Sequence, residues 1–110
     1  MRDHLERLRD IIEAIEKIER YSCKGKEAFL HDELIQIWMI HHLEIIGEAG
    51  RSVSEGFHLN NTQIPWQKIV GMRNVLIHEY LGLDLEIIWQ VISVDLPNLR
   101  FQIEGILKDQ

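Results

Sequence analysis

This 110-residue sequence predicts an all-α fold, an antiparallel bundle of four main helices whose last is kinked or split. Three observations carry that reading. Apolar residues recur at three- and four-residue steps along nearly the whole chain. The two-residue alternation of a half-buried strand is absent. The stripes are separated by short connections marked by Gly, Asn or Pro, and short connections between amphipathic helices make antiparallel neighbours.

The first stripe is Leu5, Leu8, Ile11, Ile12, Ile15, Ile18 and Tyr21, which predicts a helix over residues 2–21, with 22–27, containing Gly25, as a turn. Asp32 suits the N-cap of a second helix running to Val53, whose main apolar positions are Leu34, Ile35, Trp38, Ile45, Ile46, Ala49 and Val53. Residues 54–64 are a polar connection. Pro65 fits the first position of a third helix over 65–80, because its missing N–H is not needed there. Gly82 interrupts that helix, and Asp84 caps a fourth containing Leu85, Ile88, Trp89 and Ile92. Pro97 cannot continue a regular helix, since it lacks a donor and collides with the preceding turn. A break is expected near Asp95, followed by a final segment holding Leu99, Ile103, Ile106 and Leu107.

Composition bounds the function. With 45% hydrophobic and 27% charged residues, 1–110 reads as one domain with a modest core. No run approaches the roughly 18 apolar residues of a membrane span. The N-terminus, MRDHLERLRD, lacks the apolar segment of a secretory signal, so a cytoplasmic protein is expected. Cys23 is the sole cysteine and receives no role. A net charge of -6 argues against a protein that coats nucleic acid by bulk electrostatics. A local basic site is still available: residues 57–78 contain none of the 18 acidic residues and hold His58, Lys68, Arg73 and His78.

The third helix carries the chemistry. At 100° per residue, Trp66, Ile69, Val70, Leu76, Ile77 and Tyr80 all fall within about 60° of Arg73, which places a guanidinium in the middle of an apolar face. Burying it costs several kcal/mol unless it is paired or has work to do. One flank, at about 100° to 160°, carries Gln67, Gly71, Asn74 and His78. Arg73 and His78 stand about 140° apart, so a site using both calls for a second copy of the helix. Two explanations stay open at this point. Either Arg73 pairs with a carboxylate such as Glu44, Glu48 or Glu86 and His78 merely complements the helix dipole, or the cluster is a site. Tyr80 is likewise either a bundle aromatic or part of that site.

The string RNVLIHEYLGLD, residues 73–84, contains R-x-x-x-x-H-x-Y and resembles the signature of HEPN-domain RNases, most closely the HepT-like toxins of toxin–antitoxin pairs. LEIIGEAG, residues 43–50, is similar to that family's second-helix segment, and IPWQKIVGMRN, residues 64–74, to its approach to the signature. The resemblance implies a HEPN-like homodimer with a cytoplasmic, metal-independent endoribonuclease site at the subunit interface. Arg73 and His78 would be catalytic, with Asn74 and Lys68 as supporting RNA contacts. His78 would move the proton of a ribose 2′-hydroxyl and Arg73 would stabilise charge on the phosphate, giving a 2′,3′-cyclic phosphate and a 5′-hydroxyl. Tyr80 matches the tyrosine to which a cognate minimal nucleotidyltransferase antitoxin adds AMP. RNA, a second copy and that antitoxin are the implied partners, with no cofactor, DNA or membrane. A catalytically silent module that docks a nucleotidyltransferase is the alternative.

Other constellations are weaker. His41, His42, Glu44 and Glu48 share a helix, but a di-iron bundle wants two Glu-x-x-His pairs plus two further Glu residues, a set this helix does not supply, so no metal is expected. Trp38, Trp66 and Trp89 lie on three helices and read as core rather than as a base-stacking platform.

Overall fold

A computed structural model of the chain describes residues 4–53, 55–71 and 84–109. Every regular element among them is helical: α1 (His4–Ser22), α2 (Lys26–His31), α3 (Glu33–Ser52), α4 (Glu55–Asn60), α5 (residues 66–71), α6 (Leu85–Gln90), a π-helical turn (Val91–Asp95) and α7 (Leu96–Lys108). The predicted continuation of the third helix to Tyr80 lies outside the described residues.

The first stripe forms the centre of the core. Leu8, Ile11, Ile15 and Ile18 are fully buried, while Leu5, Ile12 and Tyr21 pack at its margins. They meet Met39, Leu43 and Ile46 of α3 and Leu96, Leu99 and Ile103 of α7, all buried. α1 and α3 run antiparallel: Trp38 Nε1, towards the start of α3, donates to the Lys17 carbonyl at 2.7 Å near the end of α1. The Tyr21 ring meets the Trp38 ring edge-on at 5.2 Å. Ala14 of α1 and Ala49 of α3, 3% and 4% exposed, are small buried positions of the two helices.

Asp32 caps α3 as its residue type demands, its Oδ1 accepting from the backbone N–H of Leu34 (2.9 Å) and Ile35 (3.3 Å). Asp84 does the same for α6, accepting from Glu86 and Ile87. Four expectations need correction. The turn over 22–27 is shorter, because α2 starts at Lys26 after Gly25, whose φ of 95° is open to a residue without Cβ. The polar connection over 54–64 holds the one-and-a-half turns of α4. Leu34 is 78% exposed rather than core: it lies on the outward stripe of α3 with Ile37 and His41, while Ile35 beside it is buried.

The fourth correction concerns Pro97. No break occurs at Asp95: backbone dihedrals stay helical from Gln90 (φ -61°, ψ -41°) to Leu96 (φ -66°, ψ -42°). The chain widens instead. The Leu96 N–H reaches back five residues to the Val91 carbonyl, and this π-turn makes room where the Pro97 ring would otherwise strike the Ser93 carbonyl. Of the kinked and split alternatives, the sequence realises an irregular but continuous helix.

Candidate functional site

The approach to the signature is built where α3 ends. Gly50, in the last turn of α3, is a point of very close contact: a Cβ there would lie 2.8 Å from Cγ2 of Ile69 on α5. Absence of a side chain at position 50 therefore sets how closely α5 crosses α3. The Gly50 carbonyl also meets His58 Nε2 at 3.0 Å, so His58 ties α4 to the end of α3. Its ring lies 4.6 Å from that of Trp66, whose Nε1 donates to the Asn61 carbonyl at 2.9 Å. His58 thus has a structural post, although on sequence grounds it belonged to the basic stretch.

Over its described residues α5 follows the predicted wheel. Trp66 and Ile69 are buried, Val70 and Gly71 half-buried, and Gln67 and Lys68 exposed. The apolar face in whose centre the sequence puts Arg73 is accordingly the face α5 turns inward. Arg73, Asn74, His78 and Tyr80 themselves lie outside the described residues.

Lys68 is placed, and it has company that the sequence did not show. Its Nζ lies 2.9 Å from Oδ2 of Asp95, on the π-turn. The acid-free stretch over 57–78 therefore acquires a carboxylate in three dimensions. The Lys68 side chain is 55% accessible and Asp95 is half-buried, and a pair with one end in solvent contributes about 0–1 kcal/mol. Glu86, one of the carboxylates open to Arg73 on sequence grounds, lies 2.6 Å from Lys26, whose pKa the Glu86 hydrogen bond raises.

No group of three or more His, Cys, Asp or Glu residues among those described is arranged to hold a metal ion. The residues considered for one separate: His41 is exposed, and His42, beside it, is 4% exposed. The chain does contain one Glu-x-x-His, Glu55 to His58, on α4. A single such pair falls short of the two a di-iron bundle uses, and this histidine is engaged by Gly50.

Sequence reasoning missed a second polar feature, in the groove between α1 and α3. A cavity of about 300 Å³ is lined by Arg7, Asp10, Glu13 and Lys17 on one side and His42 and Glu48 on the other, with Ala14, Ile45 and Ala49 as apolar wall. Both ring nitrogens of His42, and Nε of Arg7, are buried there without a hydrogen-bond partner among the described residues. The His41–His42 pair was a visible signal, but which of the two faces inward is set by α1.

Against this geometry the comparisons decide the family. Residues 11–106 match the family described as ribonuclease HepT-like. The chain belongs to the HepT-like family. It is 39% identical over 108 residues to a protein named probable ribonuclease HepT from Thermococcus cleftensis, covering 97% of this chain and 98% of the relative. Two further relatives have RNase in their names. The one from Methanocaldococcus jannaschii is 34% identical over 93% of this chain and 88% of its own length. The one from Caldanaerobacter subterraneus is 38% identical, over 84% and 83%. No solved structure gives a significant match. No helix among the described residues is long and apolar enough to cross a membrane.

Proposed function

We propose that this HepT-like chain is a metal-independent endoribonuclease and the toxin of a toxin–antitoxin pair. The observation that carries the reading is the R-x-x-x-x-H-x-Y string at residues 73–80 within a chain that matches the family over 11–106. Relatives of nearly the same length named as ribonucleases support it. In the proposed reaction His78 takes the proton of a ribose 2′-hydroxyl, and the 2′-oxygen attacks the adjacent phosphorus. The bond to the 5′-oxygen breaks, and that oxygen leaves as a hydroxyl once protonated. Arg73 faces the charge that builds on the phosphoryl oxygens, and Asn74 and Lys68 hold neighbouring phosphates. The site is completed by a second copy, because Arg73 and His78 stand about 140° apart on one regular helix.

One preparation tests these statements together. Purified protein should scatter light as a dimer and cleave structured RNA in excess EDTA, leaving 2′,3′-cyclic phosphate and 5′-hydroxyl ends. A monomer overturns the shared site, and cleavage that EDTA abolishes overturns metal independence.

Regulation falls to Tyr80, two residues beyond His78. AMP attached to its hydroxyl brings a phosphate and a nucleoside to the place where RNA phosphate binds, and it competes for Arg73. A minimal nucleotidyltransferase is the proposed antitoxin. Tyr80→Phe should cleave RNA like the wild type yet escape neutralisation by that enzyme with ATP. Intact-mass measurement reads the outcome: wild type gains one or more AMP units and Tyr80→Phe none, whereas equal gains move the modification elsewhere.

A further inference from the structure

The side of α7 away from the core carries an aromatic ring that neither the bundle nor the proposed reaction uses. Phe101 is 81% exposed, the highest value among the large apolar side chains described. A single exposed apolar residue needs no explanation by itself, since much of any protein surface is apolar. Its setting distinguishes this one. The exposed residues of the segment 93–101 are Ser93, Val94, Pro97, Asn98 and Phe101, all uncharged in a chain of which 27% is charged. The charged residues of the segment are engaged elsewhere: Asp95 pairs with Lys68, and Arg100 is held by Glu16, Glu19 and Glu104.

Phe101 also lines a cavity of about 510 Å³ between α5 and α7, a size within the range of ligand sites. Pro65, Lys68 and Ile69 supply the wall on the α5 side, and Gln102 Nε2 donates to the Gln63 carbonyl at 2.8 Å, joining α7 to the segment before α5. Electrostatics narrow the occupant. The α5 wall belongs to the acid-free stretch 57–78, and Asp95, the one carboxylate among the described lining residues, is already 2.9 Å from the Lys68 ammonium. This cavity is therefore close to neutral, whereas the groove between α1 and α3 is lined by three carboxylates. A polyanion that carries flat uncharged rings fits the combination: an aromatic face to stack on, the Asn98 amide to donate to and accept from a ring edge, and no unpaired carboxylate in the described lining to repel the backbone. A second copy docked on this face would bury the Lys68–Asp95 pair, and charged residues are depleted at the centre of subunit interfaces. The α5 wall also leads into the signature, with Lys68 five residues before Arg73.

We infer that Phe101 stacks a nucleobase from a single-stranded part of the RNA substrate, seated in the cavity between α5 and α7. The inference rests on the ribonuclease reading, and its test is separable from it because 2′-O-methyl RNA binds without a nucleophile for cleavage. A short 2′-O-methyl oligonucleotide of mixed sequence is titrated into the full-length protein carrying isotope-labelled phenylalanine, followed by NMR. The chain has three phenylalanines, and Phe29, fully buried, and Phe57, half-buried, serve as internal references. The Phe101 ring resonances, assigned by their loss in Phe101→Leu, should move upfield saturably as a base stacks on them. Phe101→Leu keeps an apolar side chain without a π-face and should bind roughly tenfold more weakly, while Phe101→Tyr binds like the wild type. Because the ring is exposed, both variants should melt like the wild type.

No saturable shift of Phe101, or equal affinity in wild type and Phe101→Leu, overturns the assignment. Light scattering tests the competing occupant: if Phe101→Leu loses a dimer that the wild type forms, the face is a subunit interface and the assignment fails, whereas an unchanged mass supports it. Oligonucleotide binding through Phe101 by a chain that leaves ordinary RNA intact would remove the ribonuclease reading and keep the subsite, and cleavage without a Phe101 shift would do the reverse.

Discussion

Arg73→Ala and His78→Ala should each lower EDTA-resistant RNA cleavage by about 10²- to 10⁴-fold while leaving helix content unchanged. For His78 the expectation follows from proton transfer. A 2′-hydroxyl is a poor nucleophile until its proton is removed, and imidazole, whose ordinary pKa is about 6.5, is half-way between its forms near the working pH. For Arg73 it follows from charge. A pentavalent phosphate carries more negative charge than the diester it came from, and a planar guanidinium donates to two of its oxygens at once. Arg73→Lys separates the functions of charge and shape: a cation without the fork should recover only part of the rate. Full activity in either purified alanine variant removes that residue from the mechanism. If Arg73 were only one half of a buried ion pair, its loss would lower the melting temperature along with the rate.

What the sequence made legible depended on how locally each feature is determined. The burial of Leu8, Ile11, Ile15 and Ile18 follows from their spacing alone, because a helix with that stripe has one face to hide. Asp32 and Asp84 could be placed as caps because capping is a contact between a side chain and the backbone two or three residues on. Pro97 announced an irregularity but not its form. Whether a chain breaks or widens into a π-turn depends on what the flanking segments pack against, and Ile92, Leu96 and Leu99 all hold to the core.

Features that join distant residues were out of reach. Lys68 and Asp95 are 27 positions apart, and nothing in the local pattern of either pairs them. His41 and His42 looked equivalent as neighbours on one helix, and only α1, lying over one of them, makes His42 a buried ring and leaves His41 in solvent. The proposed catalytic residues were found differently. Periodicity showed that Arg73 is anomalous on an apolar face, and the likeness of the whole string to a known signature gave the anomaly a purpose.

One of the short helices, α2, illustrates the same limit and carries the largest expected effect on stability. α2 has six residues, too few for a period to be read and too few to be stable alone. Its place is set from outside. Phe29 is its one buried residue, 0% exposed, with its ring 5.6 Å from that of Trp89 on α6. Gln36 Nε2 on α3 donates to the Phe29 and Leu30 carbonyls at 3.0 and 3.2 Å, holding the last turn. Those two bonds contribute about 1 kcal/mol each at most, and burial of the ring does the rest. Phe29→Ala should therefore cost about 3–5 kcal/mol in chemical unfolding followed by circular dichroism, a large share of the roughly 5–15 kcal/mol that holds a domain folded. Phe29→Leu keeps part of the buried volume and should cost about 1–2 kcal/mol. Both are compared with wild type at one protein concentration, since association would otherwise shift the midpoint by mass action. A loss below about 1 kcal/mol for Phe29→Ala would mean that α2 is not anchored through this ring. Trp89 fluorescence then reports whether α2 detaches before the rest of the bundle melts, as a helix with one buried anchor is expected to do once that anchor is removed.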